Sequence, residues 1–114
     1  AHDSQREAIM SDSIHVLPFC RLGQQYQCQA RYGFFRNGMP CYLLDILDAS
    51  GQPVVVAQVH PRDAVQPHRP EDLAVLMARV ADSDWLRGLD EVLARRARGE
   101  LALPAWFNLS FEQL

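Results

Sequence analysis

Residues 25–60 read QYQCQARYGFFRNGMPCYLLDILDASGQPVVVAQVH, and this stretch admits few folds. Tyr26, Cys28, Ala30, Tyr32 and Phe34 alternate with Gln27, Gln29 and Arg31, the period-two pattern of a strand with one buried face. Asn37-Gly38 follows, a pair favoured in two-residue type I′ hairpins because both positions need positive φ. That turn would set Phe34 opposite Cys41, Tyr32 opposite Leu43, Ala30 opposite Asp45 and Cys28 opposite Leu47. The next connection is Asp48 to Gln52. A two-residue Ser50-Gly51 loop would turn Gln58 and His60 toward the face of Tyr32 and Leu43. A three-residue loop, with Gly51 in the left-handed position of a G1 bulge, turns Val55, Ala57 and Val59 there instead. A slip of one residue reverses every side chain of a strand, so the apolar set selects the longer loop. The stretch therefore predicts a three-stranded antiparallel meander over about residues 25–60.

The flanking segments supply helices. Ser4-Gln5-Arg6-Glu7 before Ala8, Ile9 and Met10 is a capping-box pattern, which predicts a short N-terminal helix ending near residues 11–13. Ile14 to Phe19 fits a short edge strand or extended lead-in, since Pro18 cannot donate to a central ladder. Pro61 to Arg69 is a proline-bounded loop. Pro70 suits a first helical turn, with Glu71 and Asp72 favourable at its positive end. Leu73, Leu76, Met77 and Val80 then fall on one stripe, giving a helix over about 70–81. Asp82-Ser83-Asp84 breaks it and caps a second helix over about 84–98. Its stripe is Trp85 or Leu86, Leu89, Val92 and Leu93, and Gly99 closes it. Leu101 to Leu114, with Trp106, Phe107, Leu109 and Phe111, is an apolar tail that must pack on something. The whole reads as a single globular domain over 1–114, α+β in class, with two C-terminal helices packed on one face of the meander.

Composition excludes several chemistries. The eleven basic residues are all arginine, which rules out a lysine Schiff base and a phosphate-loop lysine. This arginine bias, with abundant Ala, Leu and Val, suggests a GC-rich bacterial genome. The net charge of −3 offers nucleic acid and anionic membrane no general attraction. No apolar run reaches a membrane span and no signal-peptide pattern opens the chain. Three cysteines without CxxC spacing argue against a disulfide framework or zinc site and for a reducing, cytoplasmic compartment.

Five groups of residues are candidates for function. Tyr42, Leu44, Ile46, Val54 and Val56 form a second apolar face on the meander. Either the tail covers that face or a protein partner or symmetry mate does. Asp45, placed on the core face near Tyr32, is the weak catalytic candidate, because a carboxylate there must find a cation, hydrogen bonds or a proton. His60, Arg62, Asp63, His68 and Arg69 surround the loop after the third strand and offer a possible anion site. Their spacing matches no metal motif, and no metal or cofactor is expected. Cys41 and His60, the elements of a nucleophile pair, fall on opposite faces in the selected register. Arg95, Arg96 and Arg98 sit among acidic residues, a weak footprint for nucleic acid.

These observations favour a small protein-interaction or regulatory module acting through a sheet face, as a homodimer, over an enzyme. The alternative is a small hydrolase or ligand-binding domain using Asp45 and the His60–His68 loop. A nucleic-acid-binding accessory role ranks below both.

Overall fold

The computed structural model describes residues 16–61 and 70–114. The expected N-terminal helix, and Arg62, Asp63, His68 and Arg69 of the expected anion site, lie outside the described residues. The elements are β1 (Val16–Arg21), β2 (Gln24–Phe34), β3 (Pro40–Leu47), β4 (Pro53–His60), α1 (Pro70–Ala81), α2 (Asp84–Arg87), α3 (Leu89–Ala97) and β5 (Leu109–Ser110), followed by a 3-10 turn at Phe111–Gln113. They form one five-stranded sheet in the order β1-β2-β3-β4-β5. The first four strands are antiparallel neighbours, and β5 joins β4 in parallel. The α+β class and the helices on one face agree with the sequence reading. The sheet is wider than the three-stranded meander: β1 takes up the edge-strand alternative for the lead-in, and the tail adds a strand that the sequence reading did not expect.

Three turns decide which side chains face the helices. Between β1 and β2, Leu22 and Gly23 both have positive φ, 53° and 75°, as a two-residue type I′ hairpin requires. Leucine pays steric strain there that asparagine largely avoids. Leu22→Asn is therefore expected to raise stability by about 1 kcal/mol, measured as a higher urea midpoint with an unchanged slope.

The turn at Asn37-Gly38 is not type I′. Gly38 alone takes positive φ, 88°, Gly38 N donates to Phe35 O at 2.9 Å and Phe35 N to Met39 O at 2.7 Å. Met39 N also donates to Asn37 Oδ1 at 3.0 Å, so the asparagine serves through its side chain rather than through a left-handed backbone. The loop thus holds three residues, and the register moves by one: Phe34 pairs with Pro40, Tyr32 with Tyr42, Ala30 with Leu44 and Cys28 with Ile46.

The β3–β4 loop is the expected three-residue one, with Gly51 at φ 86° and Gly51 N donating to Asp48 O at 2.9 Å. Asp48 Oδ1 accepts from Ser50 N, Ser50 Oγ and Gln52 N. Those bonds, the Ser50 hydroxyl foremost, hold the Asp48 carboxyl below its usual range. Past the loop, Leu47 pairs with Pro53 but Ile46 with Val55, so Val54 is an extra residue in a β-bulge. The two unforeseen slips compensate. Strands β2 and β4 keep their expected inner faces, and β3 is inverted.

The inner face is therefore Tyr26, Cys28 and Ala30 on β2, Tyr42, Leu44 and Ile46 on β3, and Val55, Ala57 and Val59 on β4, all in one core cluster with both helical layers and the tail. From α1 come Leu73, Leu76, Met77 and Val80; from α2 and α3 come Trp85, Leu86, Leu89, Val92 and Leu93. Each such aliphatic side chain contributes about 1.5–3 kcal/mol by leaving water.

The expected second helix is divided at Gly88, where a Cβ would lie 3.2 Å from the Trp106 ring. Ser83 caps α2 by accepting from Leu86 N. At the end of α3, Gly99 has φ 80°, Gly99 N donates to Arg96 O and Glu100 N to Arg95 O, the bond pair of a Schellman cap. The tail packs with the helices, not against the opposite sheet face. Trp85 Nε1 donates to Phe107 O at 2.8 Å, and Phe107 and Phe111 are fully buried. No helix among the described residues is long and apolar enough to cross a membrane.

Candidate functional site

With every described helix on one side, the other side of the sheet is where strand-borne side chains can meet something else. Its rows follow from the register. Gln29, Asp45 and Val56 form one, and Arg31, Leu43 and Gln58 the next. Gly33 and Cys41 begin a third, and continuing the register by one residue places His60 across from Cys41. Leu43 lies over Gly33, where a Cβ would collide with the leucine side chain unless that side chain moved aside.

Asp45 is thus on this face and not in the core, opposite Gln29 rather than Ala30. Inversion of β3 moved it. Its carboxylate is gripped by Arg31, with Nε to Oδ2 at 2.5 Å and Nη2 to Oδ1 at 3.0 Å, and Gln29 Nε2 stands 3.5 Å from Oδ2. The bidentate fork satisfies both oxygens. The hydrogen bond to Asp45 raises the Arg31 pKa above its usual value, against the opposing effect of burial. Asp45 itself is almost fully covered. Both carboxylate oxygens are engaged by Arg31, and Tyr32 lies on the other face, its ring 6.0 Å from Tyr42. The catalytic pairing of Asp45 with Tyr32 is therefore dissolved.

The same inversion corrects the expected partner face. Tyr42, Leu44 and Ile46 are 0% exposed and belong to the core. Val54, the bulge residue, packs against the core rim. Of the five, Val56 alone lies on the face opposite the described helices, beside Asp45.

Cys41 and His60, separated in the sequence reading, share this face after all. The register alone does not make them a nucleophile pair. Cys41 is 0% exposed, and burial pushes its thiol up, against the lowering effect of the Arg31 charge. An activated cysteine needs the opposite shift. The His60 ring packs on Phe35, with centroids 4.5 Å apart. Of the expected anion site, His60 is the one member inside the described residues.

Cys28, on the inner face, is pushed up to about 12, by burial first and the Asp45 charge second. A folded chain that keeps this proton, against an unfolded one that releases it near 8.5, loses stability as pH rises from about 9 toward 12. None of the cysteines is joined in a disulfide, and Cys20 is exposed while Cys28 and Cys41 are buried. At pH 7.5 an aromatic disulfide reagent is expected to label one thiol rapidly and the other two only on unfolding. Rapid release of more than one equivalent from folded protein would refute the burial.

The helix arginines are engaged. Arg95 binds Glu91 at 2.6 Å, Arg98 binds Glu100 at 2.7 Å, and Arg96 donates to Glu100 O. Arg95 and Arg98 are thus ion-paired, whereas the Arg96 bond goes to a backbone carbonyl. Among the described residues, no group of three or more His, Cys, Asp or Glu is placed to hold a metal ion.

The sequence reading missed one buried polar contact. Tyr42 Oη donates to Asp72 Oδ2 at 2.8 Å inside the protein, joining the first turn of α1 to the middle strand. The signal was there: Asp72 precedes Leu76 by four residues and so lies on the apolar stripe. No family model, no curated protein and no solved structure matches the chain.

Proposed function

We propose that this chain is a bacterial, cytoplasmic protein-interaction module that assembles with a second copy of itself through the sheet face opposite the described helices. The observation that carries the reading is that face's make-up. Leu43 and Val56 are half-buried around a closed Arg31–Asp45 pair. With the carboxylate already met by its arginine, the face presents methyl groups and amides rather than net charge. That balance suits a protein interface, where arginine is retained and unpaired acids are depleted at the centre. Gln29 and Gln58 flank the pair, and side-chain amides both donate and accept. Two copies related by a two-fold axis could therefore satisfy one another, the self-complementarity that an isologous contact needs. Asp45's occupied oxygens and the buried Cys41 withdraw support from the hydrolase alternative.

Sedimentation velocity at micromolar concentration tests this directly. A species of about twice 12.9 kDa is expected, shifting to monomer in Val56→Glu with the far-ultraviolet spectrum unchanged. A monomer at every concentration would refute self-association.

A further inference from the structure

A second feature lies in the helical layer, independent of the sheet face. A cleft of about 590 Å³ opens between the turn joining α1 to α2 and the C-terminal segment, lined by Asp82, Asp84, Trp85, Trp106, Asn108 and Gln113 among others. That volume is within the range that small-molecule sites occupy, roughly 300–1,000 Å³.

Its walls are unlike in character and fixed in place. Trp106 is 38% exposed, yet its ring is braced: its six-membered edge rests on Gly88, and Phe107 meets it edge-on with centroids 6.2 Å apart. An alanine at position 88 would push the indole away, so the glycine and the tryptophan form one unit. Trp85 is anchored from below by its bond to Phe107 O. Two polar wall residues have their carbonyl oxygens engaged, Asn108 Oδ1 by Gln58 N and Gln113 Oε1 by Ser110 N. Their positions are set by the fold and not by solvent.

Among the described residues the charge at the cleft has one sign: Asp82 and Asp84 line it and no described arginine or histidine does. Asp84 pairs with Arg87 along α2, whereas Asp82 forms no ion pair with any described residue. An exposed indole beside an unmatched carboxylate discriminates among ligands. An anion meets two carboxylates. A neutral apolar ligand would strip water from Asp82 without replacing its hydrogen bonds. A small organic cation gains from both walls, by charge with Asp82 and by the quadrupole of the indole face.

We infer that this cleft binds an organic cation of the guanidinium or alkylammonium class. The cation places its charged head by Asp82 and its apolar body against Trp106. The head donates hydrogen bonds to the carboxylate, and planar guanidinium does so in bidentate fashion. Such a cation is offered by a free amine or by an arginine or lysine side chain of a peptide, and the chemistry of recognition is the same.

The test is a titration of the full chain with methylguanidinium against methylurea, its neutral counterpart of the same shape, followed by tryptophan emission and calorimetry at constant ionic strength. A saturable response to methylguanidinium and none to methylurea is expected. Asp82→Asn, at an exposed turn position, should weaken binding about tenfold, and Trp106→Leu should weaken it about as much. Equal responses to the two probes, a non-saturating one, or an unchanged affinity in Asp82→Asn would overturn the proposal. Should Trp106→Leu fail to fold, Asp82→Asn and the probe pair decide the matter without it. Agmatine and an acetylated, amidated arginine peptide then separate the two sources, the tighter ligand naming the source.

Discussion

Replacement of Phe107 by alanine is expected to remove about 3–5 kcal/mol of stability. The residue is 0% exposed, its ring lies 5.6 Å from that of Trp85 and 6.2 Å from that of Trp106, and its carbonyl accepts the Trp85 indole. Truncation leaves a cavity walled by aromatic rings too rigid to collapse into it, which places the cost at the upper end for a core phenylalanine. Domains of this size hold only about 5–15 kcal/mol in total. At about 4 °C per kcal/mol, the melting temperature should fall by roughly 12–20 °C. Thermal and urea unfolding followed by circular dichroism measure it. A loss below about 1 kcal/mol would mean that the tail is not part of the core.

The second large effect separates the two sheet faces. Leu44→Glu should abolish folding, because Leu44 sits between Ala30 and Ala57 with no exposed surface. A carboxylate there has neither water nor a cation, a cost of several kcal/mol on top of the lost packing. Val56→Glu, on the opposite face, should leave the fold intact. The pair of variants is informative because the hydrophobic pattern alone assigns both residues to one face. If Leu44→Glu folded normally, the inverted register of β3 would be wrong.

That inversion also shows what was legible in the residues. The meander strands, the bounds of α1 and the apolar stripes of α1 and α3 follow from local periodicity, and the apolar set Val55, Ala57 and Val59 selects the three-residue loop at Gly51. The break at Gly88 leaves no mark in the stripe. Asn37-Gly38 was ambiguous for a physical reason. Both a two-residue and a three-residue turn place Gly38 at positive φ, and they differ in whether Asn37 goes there too. Asparagine tolerates either, and here its side chain bonds Met39 N. The bulge at Val54 carried no local mark, since Pro53-Val54-Val55-Val56 is apolar on both parities.

The faces of β3 are decided by what covers them, and that is information held by α1, α2 and the tail. The candidate site inherited the error. Asp45 seemed buried among apolar groups because its partner Arg31 was assigned to the other side. β5, two residues long, lies below what any pattern can announce, and the cleft beside Trp106 exists only once the tail has docked.

The parallel pairing of β5 has a kinetic meaning. Each antiparallel neighbour in this sheet is joined through a tight turn and can zip as soon as both strands are made. Val59 must wait for Leu109, fifty residues later in the chain (109 minus 59), and such distant contacts pay their loop-closure entropy before any reward. During synthesis the helices can cover most of the inner face of the meander, but its cover is completed only when Phe107, Leu109 and Phe111 arrive. Closure of the tail is then a late event, and its contacts should be largely absent from the folding transition state. Variants at Phe107 would speed unfolding and leave the folding rate nearly untouched, so the segment around Phe107 and Leu109 acts as the latch that sets the lifetime of the native state.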